Sequence, residues 1–280
     1  MTLRIATCRP LPEPDVDEDL LLEALRSAGV EARMAAWHEP SEWRDAAPTI
    51  IRSTWDYIHD PQAFARWVEL AAAAAPLWNP PDIVLGNLHK RYLIDLAARG
   101  IPVTPTLLLE RSTTVDLDEL CRARGWRDVV VKPAVGAGSH ETHRIDPGTD
   151  AAAELLARLL PVSDLLVQPY LDSVDDYGER ALVWIDGEFT HAVRKTPRFA
   201  GGVESVSAAL PITAAERAVG EAALAALAGG DLLYARVDVA PGADGSPVVM
   251  ELELVEPSLF LLQHPPALQR LVDSILRRLR

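Results

Sequence analysis

The spacing of hydrophobic positions changes along this chain, and each change marks an element. Residues 3 to 8, LRIATC, form a short apolar run, and helical spacing follows from about Asp17 to Ala28, ending at Gly29. Val30 to Met34 and Thr49 to Arg52 are further apolar runs, each followed by helical spacing. This alternation predicts a parallel sheet covered by helices. The helix that carries Phe64 and Trp67 continues through Ala71 to Ala75, since alanine is the best helix former, and Trp78-Asn79-Pro80-Pro81 then punctuates the chain. The segment NLHKRYLIDLAARG, with Lys90, predicts an amphipathic helix stopped by Gly100, and Ile101 to Leu109 is extended. A strand of three valines ends in Lys132, a small-residue loop runs from Gly136 to Ser139, and a helix over Ala151 to Leu160 precedes the strand LLVQPYL. Residues 180 to 189 predict a hairpin turning at Asp186-Gly187, and the following loop TPRFAGGVESVS is flexible through Gly201-Gly202.

The last hairpin carries the most chemistry. Tyr234 to Val239 alternates as a half-buried strand, residues 240 to 246 supply the turn, and residues 247 to 255 return. Residues two apart on a strand share a face, so Glu251 and Glu253 project together, with Asp238 on the partner strand. Three acids buried together without a cation repel one another and lose hydration, at a cost of several kcal/mol. A hard divalent ion such as Mg²⁺, which takes carboxylate oxygens, fits this set; the competing reading is a solvent-facing acidic hairpin. Glu256, just before Pro257, reads as a loop charge.

Composition narrows the class. With 280 residues, 49% of them hydrophobic, the chain can bury a large core in one large or two to three small domains. No apolar run reaches the length of a membrane span and the first residues lack a signal-peptide layout, so the expected protein is cytoplasmic, with no membrane partner. Cys8 and Cys121 are too few for a disulfide framework or a thiolate metal cluster. A net charge of −14 repels nucleic acid, so any phosphate site is local.

In a parallel sheet the functional groups collect beyond the carboxyl ends of the strands, where Cys8 and Arg9 and then Arg52-Ser53-Thr54-Trp55-Asp56-Tyr57 fall. Arg52 suits a carboxylate fork, with Ser53 and Asp56 around it; equally, Thr54 or Asp56 is the cap of the next helix. The loop at Gly136 to Ser139 suits close backbone approach to phosphate, but is not a Walker loop and taken alone is as well read as a turn. His140 and His143 read as lid or surface residues.

Taken in order, Lys90, Val131-Lys132-Pro133 with the loop through Ser139, Gln168-Pro169-Tyr170, Arg180, Lys195, Asp238 and Glu251-Leu252-Glu253 resemble the ATP-grasp ligases, in their prokaryotic glutathione synthetase-like branch. The likeness covers almost the whole chain. It implies an α/β, ATP-grasp fold: an N-terminal parallel α/β substrate domain (1–86) and two α+β subdomains (87–168 and 169–280) clamping ATP. It implies that Lys90, Lys132 and the loop of Gly136, Gly138 and Ser139 hold phosphates, and that Gln168, Pro169, Tyr170 and Leu171 meet the adenine. Glu179 is chosen for the ribose over Asp175 and Asp176. Arg180 and Lys195 would face the phosphoryl group in transfer, and Asp238, Glu251 and Glu253 would bind magnesium, although the branch usually has Glu-x-Asn where this chain has Glu-Leu-Glu. The segments RSTWDY, GERALVWIDGEF, RKTPRF and ELELVEPSLFL look in addition like those of cyclo-ligases that close O-ureido-serine to cycloserine. The implied activity is formation of an acyl phosphate from a small amino-acid-like substrate, followed by attack of a nitrogen, with loops around 136 to 140 and 197 to 205 closing over the site. An intermolecular amino-acid or peptide ligase, a non-catalytic nucleotide-binding protein and a homo-oligomer stay open beside it.

Overall fold

Three four-stranded sheets succeed one another along the chain in a computed structural model whose described residues are 2–196, 205–226 and 231–280. The first is parallel throughout, in the order β2-β1-β3-β4, from β1 (Thr2–Thr7), β2 (Glu31–Ala36), β3 (Thr49–Ser53) and β4 (Leu77–Trp78). Helices α1 (Val16–Ser27) and α2 (Pro61–Ala74) connect them, as the β-α alternation predicts. The cap of α2 differs from the sequence reading: Trp55–His59 makes a 3-10 turn first, and the Asp60 carboxylate accepts from the Ala63 N–H at 2.9 Å. Thr54 and Asp56 are thus free of capping duty.

Two short helices, α3 (Pro81–Asn87) and α4 (Tyr92–Ala98), lead to the second sheet, and Lys90 lies in the turn between them rather than within one helix. The reason is tertiary, because the Lys90 N–H donates to the Ala134 carbonyl at 2.7 Å and so leaves the helical ladder. The second sheet is antiparallel, in the order β5-β8-β6-β7, from β5 (Leu107–Leu109), β6 (Val129–Pro133), β7 (His143–Ile145) and β8 (Leu165–Pro169). Helices α5 (Leu117–Arg122) and α6 (Asp150–Leu159) bury Cys121, Leu155, Leu156 and Leu159 against it.

The short α7 (Ser173–Tyr177) precedes the third sheet, ordered β10-β9-β11-β12, from β9 (Glu179–Ile185), β10 (Glu188–Lys195), β11 (Tyr234–Pro241) and β12 (Pro247–Glu253). All its pairs are antiparallel, and the β9–β10 turn has Asp186 and Gly187 both at positive φ, 46° and 92°. That is the geometry an Asp-Gly turn favours. One face packs on α8 (Ala214–Ala225) through Leu182, Val237, Leu252 and Ala223. The other face meets the first sheet and α9 (Pro265–Arg278), where Leu3, Ile5, Leu21 and Leu25 share a core with Ala181, Val183, Leu271 and Ile275. Each fully buried Leu or Ile contributes ~1.5–3 kcal/mol, so the two ends of the chain are held as one body.

Two asparagines position the last hairpin. Buried Asn79 donates to the Tyr234 and Leu254 carbonyls, both at 2.8 Å, and accepts from the Leu233 N–H at 2.7 Å. Asn87 accepts from the Leu254 N–H and donates to the Leu252 carbonyl, each at 2.9 Å, satisfying the free edge of β12. Among the described residues no helix is long and apolar enough to cross a membrane.

Candidate active site

In the register of β11 on β12, Asp238 stands opposite Glu251 and Arg236 opposite Glu253. The hairpin and the shared face of the three acids are as the alternation predicts. Arg236 is the residue that sequence reasoning passed over, although it lies two before Asp238 and so shares its face. It donates through Nε and Nη2 to the two Asp238 oxygens, both at 2.8 Å, and also pairs with Glu253. Lys195, at the end of β10, places Nζ 2.8 Å from Asp238 Oδ2 and 2.6 Å from Glu179 Oε1. Glu251 pairs with Lys90 at 3.0 Å and Lys132 at 3.6 Å. The positive charge that the acids require is therefore supplied by the protein's own Lys90, Lys132, Lys195 and Arg236. Among the described residues no three His, Cys, Asp or Glu side chains are arranged to hold a metal ion as they stand. The all-oxygen chemistry of Glu251 and Glu253, whose carboxylates remain about a quarter exposed, nevertheless suits Mg²⁺.

The charges are unequal in kind. Burial works against ionisation of Asp238, but Arg236 and Lys195 hold its carboxyl well below the usual range. Burial likewise opposes Glu251, which Lys90 and Lys132 bring down to about 2. Glu179 and Glu253 go the other way: burial pushes them up to about 7 and about 8, against the pull of Lys195 and Arg236 respectively. Loss of hydration, not the nearest cation, decides these last two.

A cavity of about 780 Å³ opens above these groups, lined by strands of the second and third sheets and by the segments that follow β1 and β3 of the first. The second sheet contributes Lys132, the loop from Gly136 to His140, and the strand end Gln168, Pro169, Tyr170 and Leu171. Gly138 and Ser139 both have positive φ, 58° and 59°, which turns this loop back toward Lys90, whose Nζ donates to the Gly136 carbonyl. His140 meets His59 edge to face at 5.8 Å, so the loop crosses the mouth to the N-terminal sheet's side. His143 bonds Glu141 at 2.7 Å. Gln168 is buried and donates to the Thr106 hydroxyl at 2.9 Å. Glu179 lines the cavity, whereas the Asp175 carboxylate accepts the Tyr170 hydroxyl. Gly178, at φ +77°, makes the approach of Glu179 to Lys195 possible, because a Cβ there would lie 2.7 Å from the Lys195 carbonyl oxygen.

Several expected residues stand elsewhere. Arg180 points away from the cavity, since the β pleat alternates and its neighbour Glu179 takes the cavity side. It is buried beneath α8, with Nε 2.9 Å from Glu216 Oε1 and Nη2 2.6 Å from the Pro211 carbonyl. Arg52 is not a cleft residue either: it is buried, lies over the Tyr234 ring at 5.1 Å and donates to the Pro257 carbonyl at 2.6 Å. Ser53 is buried with it, bonding Thr7 at 2.8 Å and Glu18. Arg52 is thus held by the Tyr234 ring and the Pro257 carbonyl, and Ser53 by Thr7 and Glu18 beside it on the first sheet and α1. Asp56 does line the cavity, accepting the Trp37 indole N–H at 2.6 Å. Cys8 is buried, its thiol pushed up to about 11 by burial, and Arg9 is exposed; neither lines the cavity. Glu256 corrects the reading in the opposite sense, for it borders the cavity instead of pointing to bulk solvent. Most of the 197–205 loop lies outside the described residues.

Comparison with known proteins bears on this geometry. Residues 3–79 match the family model described as the N-terminal domain of the D-cycloserine synthetase DcsG. The chain is 35% identical to the cycloserine biosynthesis protein DcsG of Streptomyces lavendulae, over 95% of each chain. It superposes on the crystal structure of D-cycloserine synthetase DcsG with a TM-score of 0.91 and 33% identity, covering 100% of both chains. A RimK domain ATP-grasp protein from Sphaerobacter thermophilus shares the fold at a TM-score of 0.68 and 20% identity, over 98% of this chain and 99% of that one. Nearly full-length identity to one relative and a matching fold throughout make the chain a member of the DcsG family of synthetases, built on the ATP-grasp ligase fold.

Proposed function

We propose that the chain uses ATP to close O-ureido-serine to cycloserine. The convergence of Lys90, Lys132, Lys195 and Arg236 on one cleft carries this reading, because such a set suits a triphosphate and the charge that develops on a phosphoryl group in transfer. The substrate carboxylate attacks the γ-phosphorus, ADP leaves, and an acyl phosphate forms. The nitrogen bonded to the side-chain oxygen then attacks the acyl carbon and expels phosphate, closing a five-membered ring that still bears the carbamoyl group. Water removes that group as carbamate, which breaks down to carbon dioxide and ammonia. Tethered attack needs no second amine, and well-oriented intramolecular groups reach effective molarities of ~10⁵ M or more.

In this reading Lys90, Lys132 and the backbone of Gly136, Gly138 and Ser139 hold the phosphates; the Gln168 to Leu171 strand end meets the adenine, and Glu179 the ribose. Lys195 and Arg236 stand over the reacting carboxylate, while Asp238 orients both. Glu251 and Glu253, supported by Asp238, would hold Mg²⁺, which when bound offsets phosphate charge. Arg180 leaves the catalytic set and Arg52 and Ser53 leave the substrate set, with Asp56 remaining on the substrate wall. The loop across the mouth excludes water from the acyl phosphate.

The test is incubation of the protein with ATP, Mg²⁺ and each enantiomer of O-ureido-serine alone, with mass spectrometry for cycloserine and ADP. Both are expected with one enantiomer. ADP release only on addition of a free amine, with a linear product, establishes an intermolecular ligase instead; no ADP under either condition removes the enzyme reading.

A further inference from the structure

Glu256 is a cleft carboxylate that the phosphate and metal chemistry above does not use. Its neighbours in the cavity are engaged: Glu179 by Lys195, Asp238 by Arg236 and Lys195, Glu251 by Lys90 and Lys132, Glu253 by Arg236, and Asp56 by the Trp37 indole. Among the described residues Glu256 forms no ion pair within 4.0 Å. Its surroundings are the Tyr57 hydroxyl, Lys90 and the Glu251 carboxylate, and burial pushes its carboxyl up to about 7. A half-buried acid without a cation is costly unless something positive arrives.

The backbone around Glu256 is pinned from both sides. The Tyr234 hydroxyl donates to the Val255 carbonyl at 3.0 Å, the Trp55 indole to the Glu256 carbonyl at 3.2 Å, and Arg52 to the Pro257 carbonyl at 2.6 Å. The buried Asp17 carboxylate accepts the Leu259 and Leu261 N–H groups at 3.0 and 2.8 Å. Most of these grips come from the N-terminal sheet and its helix. They set the Glu256 carboxyl at the seam where the Trp55-Asp56-Tyr57 wall meets Lys90, before any ligand binds.

We propose that Glu256 recognises the α-ammonium group of the amino-acid substrate, an assignment that rests on the cyclo-ligase reading. An α-amino acid carries its ammonium one carbon away from its carboxylate, so a site that draws the carboxylate to Lys195 and Arg236 must answer the ammonium from a neighbouring position. Glu256 lies two residues before Ser258, whose carbonyl accepts from Arg236 at 3.4 Å, so it borders the carboxylate position on the cavity wall, and among the described residues it has no ion-pair partner of its own to displace.

The experiment compares kcat/KM for O-ureido-serine and for 3-(ureidooxy)propanoate, which lacks only the amino group, in the wild type, Glu256→Gln and Glu256→Asp, with ADP affinity by calorimetry as a control for folding. The wild type is expected to prefer the amino substrate by about 30-fold or more, the scale of a charge-assisted hydrogen bond. Glu256→Gln shrinks this preference to about threefold or less, and Glu256→Asp, which keeps the charge, retains most of it. Cycloserine formation by the wild type with no preference, or with equal losses on both substrates in Glu256→Gln, overturns the ammonium assignment alone. No cycloserine from the wild type overturns the cyclo-ligase reading and takes the assignment with it.

Discussion

Arg236 clamps Asp238 at two points along a single strand, with Nε and Nη2 each 2.8 Å from a different carboxylate oxygen, and both groups are buried. Removing one partner of such a pair leaves an uncompensated buried charge, at a cost of about 3–5 kcal/mol. Arg236→Met is therefore expected to lower the urea midpoint strongly and to abolish ADP release. Arg236→Lys, which keeps the charge but not the fork, should recover much of the stability and little of the turnover. Equal recovery of both would show that charge alone matters there.

Lys132 reaches the cavity floor from the end of β6, 3.6 Å from Glu251, and is only partly neutralised. Lys132→Met should weaken ATP binding by about 1.5–3 kcal/mol, the net worth of a hydrogen bond to a charged group. Isothermal calorimetry with a non-hydrolysable ATP analogue measures this directly, and an unchanged affinity would remove Lys132 from the phosphate site.

Arg180 and Glu216 form a buried pair on the face of the third sheet that α8 covers, away from the cavity. Arg180→Leu alone should cost about 3–5 kcal/mol, and Arg180→Leu with Glu216→Leu should recover part of that loss, because the second change removes the orphaned charge. Turnover of the double variant at a temperature where it is folded is expected within about threefold of the wild type. A loss of a hundredfold or more in folded protein would return Arg180 to the catalytic set.

The ligand-free protein should lose stability on going from about pH 6 to about pH 8.5. Glu179, Glu253 and Glu256 are raised above their ordinary range by burial, to about 7, about 8 and about 7, so the folded state holds protons that the unfolded chain has released. Their contribution is complete below the unfolded carboxyl range and is lost as pH rises through those values. Glu251 and Asp238, held down by Lys90, Lys132, Arg236 and Lys195, contribute the opposite slope only in strong acid. Thermal melts at the two pH values measure the difference, which should be smaller in Glu256→Gln; melts that are flat or rise with pH contradict the burial account.

The periodicities along the chain determined much of this protein: the parallel β-α start, the Asp186-Gly187 turn, the final hairpin and the common face of Asp238, Glu251 and Glu253, since pleat and turn chemistry are local properties. They also contained Arg236, which lies two residues before Asp238 and so on its face, and is a cation that these acids need. Other assignments depend on which side of a sheet another element covers. Arg180 was lost to Glu216 because α8 packs on its face, and no spacing within β9 states which face that will be. Arg52 sits at a strand end, where a ligand site is expected, yet the fold brings the Tyr234 ring and the Pro257 carbonyl to it from about 200 residues away in sequence. Glu256 reads as a loop charge until the Trp55, Arg52 and Asp17 side chains fix the segment around it at the cavity wall. Local pattern decides which residues share a face; long-range burial and hydrogen bonding decide whether that face meets solvent, another element or a substrate.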